Sequence, residues 1–208
     1  MKSKLMQLGL VLSVAGLAVI GCTQGDTAPK SAAQQMTHAE MVAKGKQLVT
    51  MGGCNDCHTP KVMTAMGPEP DSTKLLMGHQ ASDPIPDYPA EFLATSGWIA
   101  ATNPSMTAWA GPWGISFSAN LTPDQVTGSG AWTEDAFIQA MRTGTHLGMG
   151  RPIMPPMPWQ GIGQLPDEDL KAIFAYLQSI PAIANQVPMP VEPPAMGGEH
   201  ASSDDAHK

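Results

Sequence analysis

The side chains with the widest chemical reach share one short run, Cys54-Asn55-Asp56-Cys57-His58. Two thiols separated by two residues can join the two vinyl groups of one porphyrin as thioethers, and a histidine directly after the second then sits beneath the iron. Other chemistries use only part of the pattern. A Cys54–Cys57 disulfide would close so small a loop that it would restrain little of the unfolded chain. A zinc site needs a second pair of ligands, and His38, His79, His146, His200 and His207 are scattered along the sequence. A thioredoxin-like dithiol belongs in a βαβ setting, which this sequence does not offer. One covalently bound haem c is the chemistry that employs all three side chains at their spacing.

Iron held by histidine on one side needs a second axial ligand if it only moves electrons, and a thioether sulfur favours the ferrous state. Fifteen methionines compete for the role, and most are expected as core filler. Met157 stands out in Ile153-Met154-Pro155-Pro156-Met157-Pro158-Trp159, where prolines stiffen the backbone that presents the sulfur. Met154 and His146 are the alternatives. The same neighbourhood, Met149, Met154, Met157 and His146, could instead offer soft ligands to copper. Haem propionates need donors where they are partly buried, for which Asn120, Arg142, Arg151 and Trp159 are the candidates; each has an ordinary structural alternative. Asp167-Glu168-Asp169 opens a predicted helix, where negative charge complements the dipole, and is not taken as a catalytic pair. No nucleotide-binding glycine loop, nucleophile elbow or HExxH motif is present, and no catalytic residue is assigned.

Three predicted helices frame these groups. The first opens at the capping box Thr37-His38-Ala39-Glu40, repeats Met41, Val42, Gly45, Leu48 and Val49 at helical spacing, and stops at Gly52-Gly53. The second opens at Thr133, turns Phe137, Ile138 and Met141 inward, and ends near Gly144. The third starts around Pro166-Asp167, shows Leu170, Ile173, Phe174 and Leu177 on one face, and stops before Pro181. Between Pro60 and Trp132, Gly, Pro, Asp and Asn punctuate the chain, so long helices are excluded there and only short strands at Trp98–Ala101 and Gly114–Ser118 are expected.

The 208 residues are 42% hydrophobic and 14% charged, with 21 Gly and 20 Pro, enough apolar material for one loop-rich domain. Lys2 and Lys4 precede the apolar run Leu8–Ile20, and Val19-Ile20-Gly21-Cys22 resembles a bacterial lipobox, in which the cysteine is acylated. The expected organisation is a lipoprotein signal peptide over 1–21, a flexible tether over 22–36, a haem domain over 37–186 with an insertion at about 61–131, and a disordered tail over 187–208. Removal of the leader takes two lysines and no acids, so the formal charge moves from −7 to −9, with 9 basic against 18 acidic residues. That balance excludes nucleic acid as a partner class and suits a redox protein with a basic docking face. Thr23, after the acylated cysteine, favours the periplasmic side of the outer membrane.

Taken together, GKQLVTMGGCNDCHTP (45–60), NLTPD (120–124), TGSGAW (127–132), FIQAMRTG (137–144), PPMPW (155–159) and DEDLKAIFAYLQS (167–179) resemble the class I cytochromes c. The resemblance is strongest to single-haem domains in the cytochrome subunits of bacterial membrane-bound alcohol and sugar dehydrogenases, and covers about residues 43–188. It implies an all-α fold of three main helices around one haem with a long loop-rich insertion. It also implies Met157 as iron ligand and a close crossing of Gly45 with the last helix beside Tyr176. The function implied is that of a membrane-tethered monohaem electron carrier, not an enzyme in itself. Two alternatives are the electron-accepting subunit of a dehydrogenase complex and a haem sensor whose sixth ligand is displaceable.

Overall fold

The computed structural model describes residues 36–194. The expected leader over 1–21, the expected acylation site Cys22, the expected tether up to residue 35 and the tail beyond 194 lie outside the described residues.

Helix α1 (His38–Met51) begins as the sequence dictates: Thr37 N–H donates to Glu40 Oε2 at 2.7 Å and Glu40 N–H to Thr37 Oγ1 at 3.3 Å. After a two-glycine break comes the five-residue helix α2 (Cys54–His58). A hairpin of β1 (Lys61–Thr64) and β2 (Gly67–Pro70) follows, then the short helix α3 (Ala90–Thr95). Strands β3 (Ala101–Thr102), β4 (Ala108–Gly111) and β5 (Gly114–Phe117) form an antiparallel sheet in that order, with Ala110 opposite Ile115 and Gly111 opposite Gly114. Helices α4 (Glu134–Thr143), α5 (Trp159–Ile162) and α6 (Asp167–Ser179) complete the described elements.

The all-α expectation is therefore corrected: among the described residues six helices are accompanied by two antiparallel sheets. Both sheets fall within 61–131, where turn residues argued rightly against long helices. The same residues build tight hairpins, because Gly67 (φ 111°) and Gly114 (φ 91°) adopt the left-handed backbone that ends one strand and starts the next. Of the two expected strands, Gly114–Ser118 corresponds to β5; in Trp98–Ala101 only Ala101 enters a strand, and Trp98 and Ile99 lie exposed.

The three long helices pack on one core of Val49, Leu76, Phe137, Ile138, Ala140, Met141, Leu170, Ile173, Phe174, Tyr176 and Leu177. Phe137 and Phe174 face each other with ring centroids 5.5 Å apart. Helices α1 and α6 approach to backbone contact at Gly45, where a Cβ would lie 1.8 Å from Ala172 O and 2.8 Å from Tyr176 Cβ. Only glycine allows that crossing. Lys44 pairs with Asp169 beside it. Past Val187, where the tail was expected to start, the chain still touches the body: Val191 exchanges backbone hydrogen bonds with Ile115 at 2.8 and 2.9 Å.

Candidate haem site

Gly52 caps α1, and Gly53, with φ 64°, turns the chain into α2. Because α2 is helical from its first residue, Cys54, Cys57 and His58 stand at i, i+3 and i+4 and so share one face. The two cysteines are half-buried thiols, and burial pushes both above their ordinary pKa. His58 is buried, and desolvation lowers its pKa, which favours the neutral ring. Its Nδ1 lies 2.8 Å from Ala119 O. A carbonyl only accepts, so Nδ1 carries the proton and Nε2 is left with its lone pair. That is the protonation state an iron ligand requires, fixed by a backbone oxygen sixty-one residues away in sequence.

The backbone of α2 is braced from several sides. Lys61 Nζ donates to the carbonyls of Asn55 (2.9 Å), Asp56 (3.0 Å) and Thr59 (2.5 Å), closing the negative end of the helix. Fully buried Thr59 donates from Oγ1 to Asn55 Oδ1 at 2.9 Å and accepts Leu76 N–H at 2.9 Å. Gly78 N–H donates to His58 O at 2.8 Å. The carbonyl before the acceptor is also held, since His79 N–H donates to Ser118 O at 2.9 Å, and Asn185 Nδ2 donates to the carbonyls of Met77 and His79 at 2.7 and 2.8 Å. Sequence inspection did not find Ala119, Thr59, Lys61, Gly78 or Asn185: Ala119 and Gly78 act through their backbones, Thr59 and Asn185 bond partners remote in sequence, and no motif marks the Lys61 bonds to nearby carbonyls.

Met157 is half-buried and packs against the core, as Cys54, Leu121 and Ile153 also do. Its loop is anchored by Ser116 Oγ, which donates to Pro155 O at 2.5 Å, and by Met157 N–H to Met154 O at 3.3 Å. Ser116 belongs to β5, three residues before Ala119, so one short segment reaches both the His58 and the Met157 sides. Met154 is also half-buried, and His146 sits edge-on to Trp132 with centroids 4.9 Å apart.

The four residues considered for propionates are placed differently. Asn120 is buried with its amide donating to Ile183 O (2.8 Å) and Thr127 Oγ1 (3.2 Å), while Oδ1 accepts Thr122 N–H and Oγ1–H at 3.0 and 2.7 Å. Arg142 is engaged with Gly163 O, Leu165 O at 2.8 Å and Asp167 at 2.6 Å, tying α4 to the start of α6. Arg151 is exposed, its guanidinium 3.5 Å from Pro152 O. The Trp159 ring covers Gly144, where a Cβ would lie 2.3 Å from it. Among the described residues no three His, Cys, Asp or Glu side chains converge as a metal cluster, and no helix is long and apolar enough to cross a membrane.

Two cysteines on one helical face, a buried neutral histidine with Nε2 free, and a half-buried thioether loop packed on the same core fit a covalently attached haem. No family model matches the chain. It is 30% identical over 150 residues to a nicotinate dehydrogenase subunit of Pseudomonas putida, covering 72% of this chain and 9% of that protein. It is 26% identical over 159 residues to the gluconate 2-dehydrogenase cytochrome c subunit of Pantoea cypripedii, covering 76% and 27%. It is 33% identical over 85 residues to the fructose dehydrogenase cytochrome subunit of Gluconobacter japonicus, covering 38% and 17%. The chain is a relative of the cytochrome c subunits of bacterial dehydrogenases, as its motifs indicated. It spans at most 27% of the length of these three relatives.

Proposed function

We propose that this protein is an electron-transferring cytochrome c that carries one haem, joined to Cys54 and Cys57 and ligated by His58 and Met157. The observation that carries this reading is the hydrogen bond from His58 Nδ1 to Ala119 O, which reserves Nε2 for iron on the same helical face as both thiols. The haem supplies reversible one-electron chemistry. The chain supplies the attachment points, an oriented imidazole, a thioether on a proline-stiffened loop, and the apolar core against which both Cys54 and Met157 pack. With His58 and Met157 both holding its iron, a bound haem would leave substrate no open position, and the protein would act as carrier and not as the catalytic unit. Co-expression with a haem-attachment system tests this: the expected product is red, heavier by one macrocycle, and loses covalent haem in Cys54→Ala.

The remaining parts of the proposal concern place and partners. Acylation at Cys22 anchors the mature chain at the periplasmic side of a bacterial membrane, with the outer membrane favoured by Thr23. The charge of −9 after leader removal favours redox partners with a basic docking face, and association with such a partner is expected to slow as salt is added. The names of the relatives favour a second reading, in which the chain is the electron-accepting subunit of a dehydrogenase complex. Purification from native membranes distinguishes the two: a stoichiometric dehydrogenase supports the complex, a lone chain the carrier.

A further inference from the structure

Lys61 is half-buried at the first position of β1, and its ammonium reaches back to three backbone carbonyls, of Asn55 at 2.9 Å, Asp56 at 3.0 Å and Thr59 at 2.5 Å. Carbonyl oxygens only accept, so three such bonds take three N–H donors. A neutral amine has two; the group is the charged ammonium. Burial pushes its pKa down, so the charge is held there against desolvation. It is also left without a counter-charge in contact. Lys44, Lys74, Arg142 and Lys171 each pair with a carboxylate, whereas among the described residues none lies within salt-bridge distance of Lys61. The exposed carboxylate of Asp56 acts on it only from farther away. The base of the side chain is fixed by the first hairpin: Lys61 stands opposite Pro70, and Asp71 N–H donates to Pro60 O at 2.8 Å.

Where that charge sits gives it a role. Only Cys57 and His58 lie between Asp56 and Thr59, whose carbonyls share the one ammonium. The clamp therefore closes on the turn that carries a thiol for haem attachment and the imidazole for iron. A cation held there opposes further positive charge on the same imidazole: burial is the main cause of the low His58 pKa, and the Lys61 charge lowers it further. Iron oxidation likewise adds one unit of positive charge on the far side of that ring, and reduction by one electron removes it. A fixed cation therefore favours the reduced state. Thr59 and Asn55 brace α2 through a hydrogen bond between neutral groups, which has no such effect. We propose that Lys61 is a positioning residue of the haem site, whose ammonium clamps the Cys57-His58 turn and raises the reduction potential of the iron. This rests on the haem reading given above.

The test uses the full-length, haem-loaded protein at neutral pH. Lys61→Gln keeps an amide donor for the carbonyls and carries no charge, so its reduction potential is expected to fall below that of the wild type. Lys61→Met loses donor and charge together and is expected to fall at least as far. In the ferrous wild type, nitrogen-15 NMR is expected to show the Lys61 ammonium in slow exchange with water. A Lys61→Gln potential equal to or above that of the wild type would leave Lys61 a mere brace and overturn the proposal, as would an ammonium in fast exchange. Should Lys61→Met fail to mature, the Lys61→Gln potential decides; should both fail, a protected ammonium in the wild type supports the proposal and an unprotected one overturns it. Failure of the haem reading itself is seen separately, as wild-type protein whose mass includes no macrocycle.

Discussion

The two sides of the candidate haem site are built to different standards. Around His58, the helix α2 is fixed by Lys61, Thr59, Gly78 and the Ala119 carbonyl, and several of these braces are themselves buried and bonded. Around Met157, the loop has the Ser116 bond to Pro155 O, one backbone bond, and apolar packing. Histidine must arrive with one tautomer and one orientation, which takes hydrogen bonds to define. A thioether has no proton to place and is flexible and polarisable, so packing suffices to present it. Preorganisation thus belongs to the His58 side and adjustability to the Met157 side.

The contrast is broken most completely at its attachment point: Cys57→Ala is expected to reduce covalently bound haem to background, read by mass and by haem staining of denatured gels. Next in size, Thr59→Ala removes the acceptor of the buried Leu76 N–H and the donor to Asn55, and is expected to lower unfolding stability by about 2 kcal/mol. Chemical denaturation of the matured protein measures it; a loss no larger than that of an exposed threonine would contradict the bracing of α2. Ser116→Ala sharpens the comparison from the other side. It is expected to cost about 1 kcal/mol and to speed carbon monoxide binding to the ferrous protein, leaving the histidine ligation unchanged. The smallest effect is that of acid. Asp124 accepts from Thr127 Oγ1–H and N–H at 2.6 and 2.7 Å, which holds its pKa below the ordinary carboxylate value. Its contribution is complete above the unfolded-state pKa and is lost as pH falls through the folded one. Asp124→Asn should therefore flatten the acid limb of a stability–pH curve.

What could be read from the sequence follows from how local each signal is. The capping box at Thr37, the Thr133 cap and the Pro166-Asp167 start are interactions within four residues, and α1, α4 and α6 begin there. The close crossing at Gly45 was implied by the resemblance to class I cytochromes c, and the backbone of Ala172 supplies its physical reason. The two sheets escaped because their strands are two to four residues long, too short for an alternating pattern to emerge among turn residues. In the site, Cys54, Cys57 and His58 lie within five consecutive residues and could be recognised together. Ala119 contributes only a carbonyl, and an alanine gives no sign of it. His79 was one of five scattered histidines, and its burial and its hydrogen bond with Thr107 are assembled only by folding.

Among the tests available, absorption spectra of the matured wild type and of Met157→Ala, oxidised and reduced, bear most directly on the central claim. Covalent haem is expected in both, with the sulfur-to-iron band of the oxidised protein present in the wild type and absent in the variant. A wild type without bound haem would contradict the site as a whole, and a band that survives in Met157→Ala would contradict the assignment of its sixth ligand.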